Sequence, residues 1–410
     1  MEKAKIAIAG FGGRGRMYAG LVEKMDNAEL SFVCDKSKEN LKYAEENHKG
    51  AKRFHTVEEF FALGKVADIV IIATNDAQHY ECTIPAIKTG YDILLEKPIS
   101  TNLKESMEIA ECARQYGVKV AVCHVLRYAP FYTKIKELVS SGLIGQIASI
   151  SQNEDVGYWH QAHTFVRGWG SVSAKGTPMI VQKCCHDMDI IAWLMEKKCN
   201  AVSSFGNLLY FNPEHAPEVN AKHCVDCKNS DCVYNCFDYY RNYPASYKGI
   251  SHNPDIDAVL SNRSNPFSRC VFHCGNDVVD HQVVIMQFEE GKTAHLNMTG
   301  FSKDCRRRIK IHGTAGEIEG DMLDEKVVLT RYGKGGICTE KEEFDICTIA
   351  TDLSGHGGGD FRMLEDFINN VMNQTDSAGL TDIQFSLESH LMAFGAEESR
   401  LNNGKVITLH

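Results

Sequence analysis

The chain has no run of 18 or more apolar residues, the length a membrane-spanning helix needs, so no span is expected. No basic segment followed by an apolar stretch precedes the first structured run, and no secretory signal is read there. Positive charge is in deficit: 44 Lys and Arg stand against 54 Asp and Glu, a formal charge of −10. Nucleic acid and anionic membranes both demand clustered cations. The lone triplet Arg306-Arg307-Arg308 is too short to supply them. Internal repeats and low-complexity tracts are also missing. These absences point to a cytoplasmic globular protein whose partner is a small molecule.

What is present fits that class. The 410 residues are 43% hydrophobic and 24% charged, near the globular average. At about 150 residues per domain the length suggests two to three domains. Sixteen cysteines is a high count. In a reducing compartment, clustered cysteines suggest a metal more than disulfides. Dispersed ones such as Cys34, Cys82 and Cys112 read as small core residues.

Residues 4–125 alternate short apolar runs with helical patterns. Strands are read at 4–9, 30–34, 69–73, 93–95 and 118–123, with helices near 15–25, 38–48, 57–62, 80–89 and 103–116. Near-continuous apolar strands separated by helices imply a parallel, doubly wound sheet covered on both faces. Beyond 125 the pattern changes. Helices near 131–141 and 186–196 precede strands at 283–288, 294–299, 309–312 and 327–330, joined by short turns. That is an α+β unit with a mostly antiparallel sheet. The division expected is 1–125, then 126–382 with a Cys-rich insert at about 211–275, then a C-terminal helix and tail over 383–410 that packs back on the body.

Gly10-Phe11-Gly12-Gly13-Arg14-Gly15 directly follows the first strand and opens a helix. In that context the first glycine permits a tight turn and the second lets backbone approach a pyrophosphate. The third lets helix and strand pack closely. The helix N-terminus offers N–H donors to the phosphates. Asp35 ends the second strand, where a carboxylate accepts from ribose hydroxyls and repels a 2′-phosphate. NAD is therefore favoured, with Lys36 and Lys38 softening the preference. Thr74, Asn75 and His79 follow the next apolar strand and are candidates for the nicotinamide ribose, with helix capping by Asp76 as the plain alternative. Glu96-Lys97-Pro98 leaves another strand at the same edge. A lysine desolvated there can exchange protons with a substrate hydroxyl. Pro98 restricts the backbone that aims it.

Five segments together resemble the Gfo/Idh/MocA oxidoreductases: IAGFGGRGRMYA (8–19), ATNDAQHYE (73–81), LLEKPIS (94–100), LRYAPFYTKIKELVSSGLIGQI (126–147) and CCHDMDIIAWL (184–194). The resemblance implies a Rossmann domain plus an α/β domain whose open sheet mediates homo-oligomers, dimer or tetramer. It also implies hydride transfer between a nicotinamide and a carbon–oxygen centre of a sugar or polyol. By it, Lys97 is the acid/base, Arg127 shapes the cofactor crevice, and His186 meets the reacting hydroxyl. Relatives carry an aspartate four residues before that histidine, where this chain has Gln182. Gln cannot ionise, so Lys183 or Asp187 is left to compensate.

Further segments are polar beyond what a core needs. Tyr158, His160, His163 and Trp169 offer aromatic faces and donors suited to a carbohydrate. His356 lies in a glycine-rich loop that ends at Asp360 and either closes on substrate or caps a helix. Cys224, Cys227, Cys232 and Cys236 have spacing consistent with a structural zinc site. Free thiols, disulfides or an iron–sulfur cluster are the other readings. Three functions stay open: a dehydrogenase of a sugar, inositol or glycoside; a glycosidase that cycles its bound NAD; and a non-catalytic NAD sensor.

Overall fold

The computed structural model describes residues 3–410 apart from positions 175, 252, 351, 376 and 378. Its first sheet has six strands: β1 (Ala4–Ala9), β2 (Ala28–Cys34), β3 (Lys52–Phe54), β4 (Ile69–Ile72), β5 (Asp92–Leu95) and β6 (Val120–Val122). All pair in parallel in the order β3-β2-β1-β4-β5-β6. Apolar residues occur at successive positions of β1 because both faces are covered. Ile6 and Ile8 point into one core with Tyr18, Val22 and Leu41. Ala7 and Ala9 point into another with Phe60, Ile87 and Ile109. Strand order reverses between β1 and β4, which opens a crevice at their carboxyl ends.

One face of this sheet is completed from far along the chain. Met363, Leu364, Phe367 and Ile368, on the helix Ser354–Met372, join the core beneath β1. The final helix, Ile383–Leu401, adds Ile383 to the opposite core.

The second sheet has nine strands: β7 (Ile147–Gly157), β8 (Cys199–Asn207), β9 (His281–Phe288), β10 (Thr293–Ser302), β11 (Arg306–Gly313), β12 (Gly316–Asp321), β13 (Lys326–Tyr332), β14 (Cys338–Asp345) and β15 (Ile407–Thr408). Their order is β14-β13-β12-β11-β7-β10-β9-β8-β15, antiparallel throughout except for the β7–β10 pair. Strands β7 and β8 escape the sequence reading because they are rich in Ser, Gln, Asn and Glu. Gln152 and Glu154 of β7 are nonetheless buried. Helices Pro130–Ser140 and Cys185–Met195 cover one face of the sheet. The other face leaves Phe205 and Ile285 exposed, at 57% each.

Between β8 and β9 the insert forms short helices at Cys236–Asn242, Pro244–Lys248 and Ile256–Ser261. Its own small core is Cys236, Tyr239, Tyr240, Tyr247 and Leu260. Among the described residues no helix is long and apolar enough to cross a membrane.

Two loop glycines are required by space. Gly10 has φ +88°, and a Cβ there would lie 2.5 Å from the Ala73 carbonyl oxygen. A Cβ on Gly15 would lie 2.1 Å from the Gly10 oxygen. Gly15→Ala should therefore cost about 1–3 kcal/mol, as overpacking does, and lower the melting temperature. An unchanged melting temperature would show that helix and strand have room to separate.

Candidate active site

The carboxyl edge of the first sheet opens onto a groove of about 390 Å³ lined by Gly10, Gly12, Asp35, Ser37, Thr74 and Asn75 among others. A Cβ on Gly12 or Gly13 would meet nothing within 4 Å, so the loop presents bare backbone to open space. Asp35 is anchored: Oδ2 accepts from the Phe11 N–H at 2.6 Å and Oδ1 from the Ser37 N–H at 2.7 Å. A carboxylate has further lone pairs, so it can still accept from a ribose. Thr74 Oγ1 is buried with no partner among the described residues. Open glycine backbone, an anchored carboxylate and an unsatisfied hydroxyl fit a dinucleotide.

Three expected cofactor contacts are spent elsewhere. His79 is fully buried, and its ring lies between the carbonyls of Pro98 (2.7 Å) and Thr74 (3.3 Å). It ties two loops together instead of facing the groove. Arg127 pairs bidentately with Asp189 at 2.6 and 2.7 Å and also donates to the Leu380 carbonyl, so its guanidinium is committed to the frame. Arg14 turns away from the phosphate position. Its Nε pairs with Glu96, and its Nη2 donates to Tyr18 (2.7 Å) and Asp360 (2.9 Å). Glu96 is itself buried and accepts from Tyr18 at 2.8 Å, so it serves the same network.

Lys97 emerges from the end of β5 across a cis peptide to Pro98. Its Nζ donates to the Gln182 carbonyl oxygen at 2.8 Å. The Gln182 side chain donates to Asp76 at 3.2 Å, while its Oε1 has no partner among the described residues. His186 is buried, and its Nδ1 is likewise unpartnered. Burial first, then the Lys97 charge, holds the His186 imidazole far toward its neutral form. His356 completes the group, its ring centroid 5.7 Å from that of His186.

The candidates for compensating at position 182 are occupied. Lys183 pairs with Glu154 at 3.3 Å. Arg307 spans Glu154 (2.8 Å) and Asp187 (3.0 Å). Two cations and two carboxylates thus form a closed quartet, as buried charges must. Neither Lys183 nor Asp187 is available to a substrate proton.

The 158–169 segment is only partly a site wall. His160 is packed against Trp159 and Phe165, and burial, then the Lys183 charge, lowers its pKa to about 3. His163 hydrogen-bonds Tyr240 at 2.7 Å, and Tyr158 packs edge-on against Tyr234; both therefore face the insert. Trp169 is 60% exposed.

The zinc expectation is corrected by the arrangement of the thiols. Among the described residues no three His, Cys, Asp or Glu side chains are grouped to hold a metal ion. Cys227 points to the Val219 carbonyl (3.8 Å), Cys232 is partly exposed, and Cys236 is buried in the aromatic core. Cys224 receives Arg167 Nη2 at 3.6 Å. Arg167 is what gathers the insert, donating at 2.6 Å to the carbonyls of both Arg269 and Tyr234.

Several site residues carry too weak a sequence signal to find. His124 and His390 are buried behind His186, and His390 Nε2 accepts from the Ile99 N–H at 2.9 Å. Glu154 and Arg307 come from adjacent strands and meet only through sheet register.

A glycine loop over a switch-point groove, an anchored aspartate and a lysine at the sheet edge define a dinucleotide-dependent oxidoreductase. The chain belongs to the Gfo/Idh/MocA oxidoreductase family: residues 4–124 match its NAD-binding Rossmann fold and residues 136–406 its C-terminal alpha/beta domain. YteT, an oxidoreductase of Bacillus subtilis, is 26% identical over 73% of this chain and 71% of its own length. The inositol 2-dehydrogenase/D-chiro-inositol 3-dehydrogenase of Lactiplantibacillus plantarum is 25% identical over 53% of this chain and 58% of its own length. In overall fold the chain resembles scyllo-inositol dehydrogenase of Lactobacillus casei, solved with NAD(H) and scyllo-inositol. That match has a TM-score of 0.67 and 18% identity, and covers 100% of this chain and 99% of the other.

Buried neutral imidazoles make a pH prediction. His160 is held at about 3 and His163 at about 4, chiefly by burial. Their folded values lie below the unfolded one, so the unfolded chain binds protons more readily. The stability they contribute is complete above about pH 6.5 and falls as pH drops toward those folded values. Denaturant melts should lose about 2 kcal/mol per such histidine between pH 7 and 5. His160→Gln should flatten that slope.

Proposed function

We propose that the protein is an NAD-dependent dehydrogenase acting on the CH–OH group of an uncharged polyol, sugar, inositol or glycoside. The observation that carries this is the Lys97 Nζ hydrogen bond to the Gln182 carbonyl, which brings the sheet-edge lysine to the segment that holds the unpartnered Gln182 Oε1 and His186 Nδ1. Gly10, Gly12, Gly13 and Gly15 shape the loop over the cofactor, and Asp35, Thr74 and Asn75 are its polar contacts. Bound NAD supplies the acceptor for hydride from the substrate carbon. Lys97 takes the hydroxyl proton, His186 orients that hydroxyl, and Gln182 accepts from a neighbouring one. The neutral imidazoles and the closed Lys183–Glu154–Arg307–Asp187 quartet leave a nearly charge-neutral wall, which supports an uncharged substrate. Asp35 supports NAD over NADP.

Relatives named as inositol dehydrogenases support net redox turnover over a glycosidase that cycles its NAD, and Lys97 is superfluous in a sensor. We read residues 1–125 as the nucleotide unit, 126–382 as the substrate unit and 383–410 as the tail that joins them. The exposed Phe205 and Ile285 support assembly of copies through the open sheet face. The fifteen described cysteines, all free, support a reducing, cytoplasmic setting.

The test is incubation with NAD and a panel of inositols, sugars and aryl glycosides, following reduced nicotinamide and aglycone release. Reduced nicotinamide without aglycone is expected. Lys97→Ala should lower turnover by roughly 10²–10⁴-fold and leave NAD binding intact. Unchanged rates would remove Lys97 from the reaction.

A further inference from the structure

The carboxylate that faces the ribose position is surrounded by neutral donors. Asp35 Oδ2 accepts from the Phe11 N–H at 2.6 Å and from the Asn40 side-chain amide at 3.1 Å, and Oδ1 accepts from the Ser37 N–H at 2.7 Å. No Lys or Arg among the described residues ion-pairs with it, although Lys36 lines the same groove and Lys38 is exposed beside it. The charge of Asp35 therefore meets the groove uncompensated.

Arg16, on the helix Gly13–Val22, stops one amide short of that carboxylate. Its Nη2 donates to Asn40 Oδ1 at 2.7 Å and its Nε to the Phe11 carbonyl at 3.3 Å. Its guanidinium carbon lies 4.0 Å from the centre of the Tyr43 ring. Asn40 is in the first turn of the helix Lys38–Asn47, where its N–H donates to the capping Ser37 hydroxyl at 3.3 Å. The partners fix the direction of its amide. A guanidinium only donates and a carboxylate only accepts, so Oδ1 faces Arg16 and Nδ2 faces Asp35. Leucine at this position could serve neither neighbour.

We propose that Asn40 is a specificity-determining positioning residue that holds Arg16 off Asp35 and thereby keeps the site selective for NAD over NADP. The proposal rests on the reading of Asp35 given above. Two consequences of losing the bridge point the same way. An Arg16–Asp35 ion pair would take up carboxylate oxygens that otherwise accept from the ribose hydroxyls. A guanidinium released toward the groove would attract a 2′-phosphate that the bare carboxylate repels.

Binding of reduced cofactors to the intact protein without substrate, followed by nicotinamide fluorescence, tests this apart from turnover. The wild type should bind NADH more tightly than NADPH. Asn40→Leu should shrink that preference by roughly 10-fold, the worth of one hydrogen bond to a charged group. Asn40→Ala serves the same purpose if leucine does not fit. Adding Arg16→Gln to Asn40→Leu should restore most of the preference, because the cation that Asn40 restrains is then gone. A purely structural loss at position 40 would not be repaired in that way. Asp35→Ala should shrink the preference further than Asn40→Leu does. An unchanged preference in Asn40→Leu, or one that Arg16→Gln fails to restore, overturns the role of Asn40. A wild type without NADH preference, or an Asp35→Ala variant that keeps it, overturns the reading of Asp35 and the proposal with it. Failure of Asn40 alone leaves the wild-type preference, and its loss in Asp35→Ala, intact.

Discussion

Asp360, Arg14 and Glu96 form a partly buried ion network on which the geometry of the site depends. Glu96 immediately precedes Lys97, Arg14 lies within the glycine loop, and Asp360 begins a helix almost 350 residues later. Carboxylates this buried persist only when paired, so the three segments hold one another in place. Tyr18 adds a hydroxyl shared between Arg14 and Glu96. Cofactor loop, lysine and histidine loop are therefore positioned by the same charges. Disturbing one displaces the others.

A second closed set, Lys183, Glu154, Arg307 and Asp187, balances charge on the facing wall. The unpartnered neutral imidazole of His186 suits the recognition of hydroxyl groups. A hydroxyl gains most from donors and acceptors that have lost water and found no other partner. Gln182 Oε1 and His186 Nδ1 are in that condition.

The nucleotide half was legible because its constraints are local. The apolar period of β1, the glycine positions and Asp35 each act within a few residues of the chain, and the parallel sheet follows from strand–helix alternation. The second half was less legible. Polar strands β7 and β8 carry no alternation signal, since Glu154 is ion-paired inside the protein and the buried Gln152 amide donates to Tyr132 and Asp187 instead of facing water. The cysteine spacing suggested a metal, yet among the described residues no three ligand side chains are grouped to hold one: Cys224 and Cys236 share the aromatic core of the insert, and Arg167 reaches Cys224. Spacing limits which side chains can meet; it does not make them meet.

By itself the sequence determined the dinucleotide loop, the edge lysine and the family, because short-range sterics and hydrogen-bond geometry leave those motifs little freedom. Only the tertiary structure decided that Arg127 and His79 hold the frame instead of the cofactor, and that Lys183 is neutralised by Glu154. It alone set His356 against Asp360 and Arg14 beside His186. Those outcomes depend on which buried charges find partners across hundreds of residues, a condition met only when the whole chain has packed.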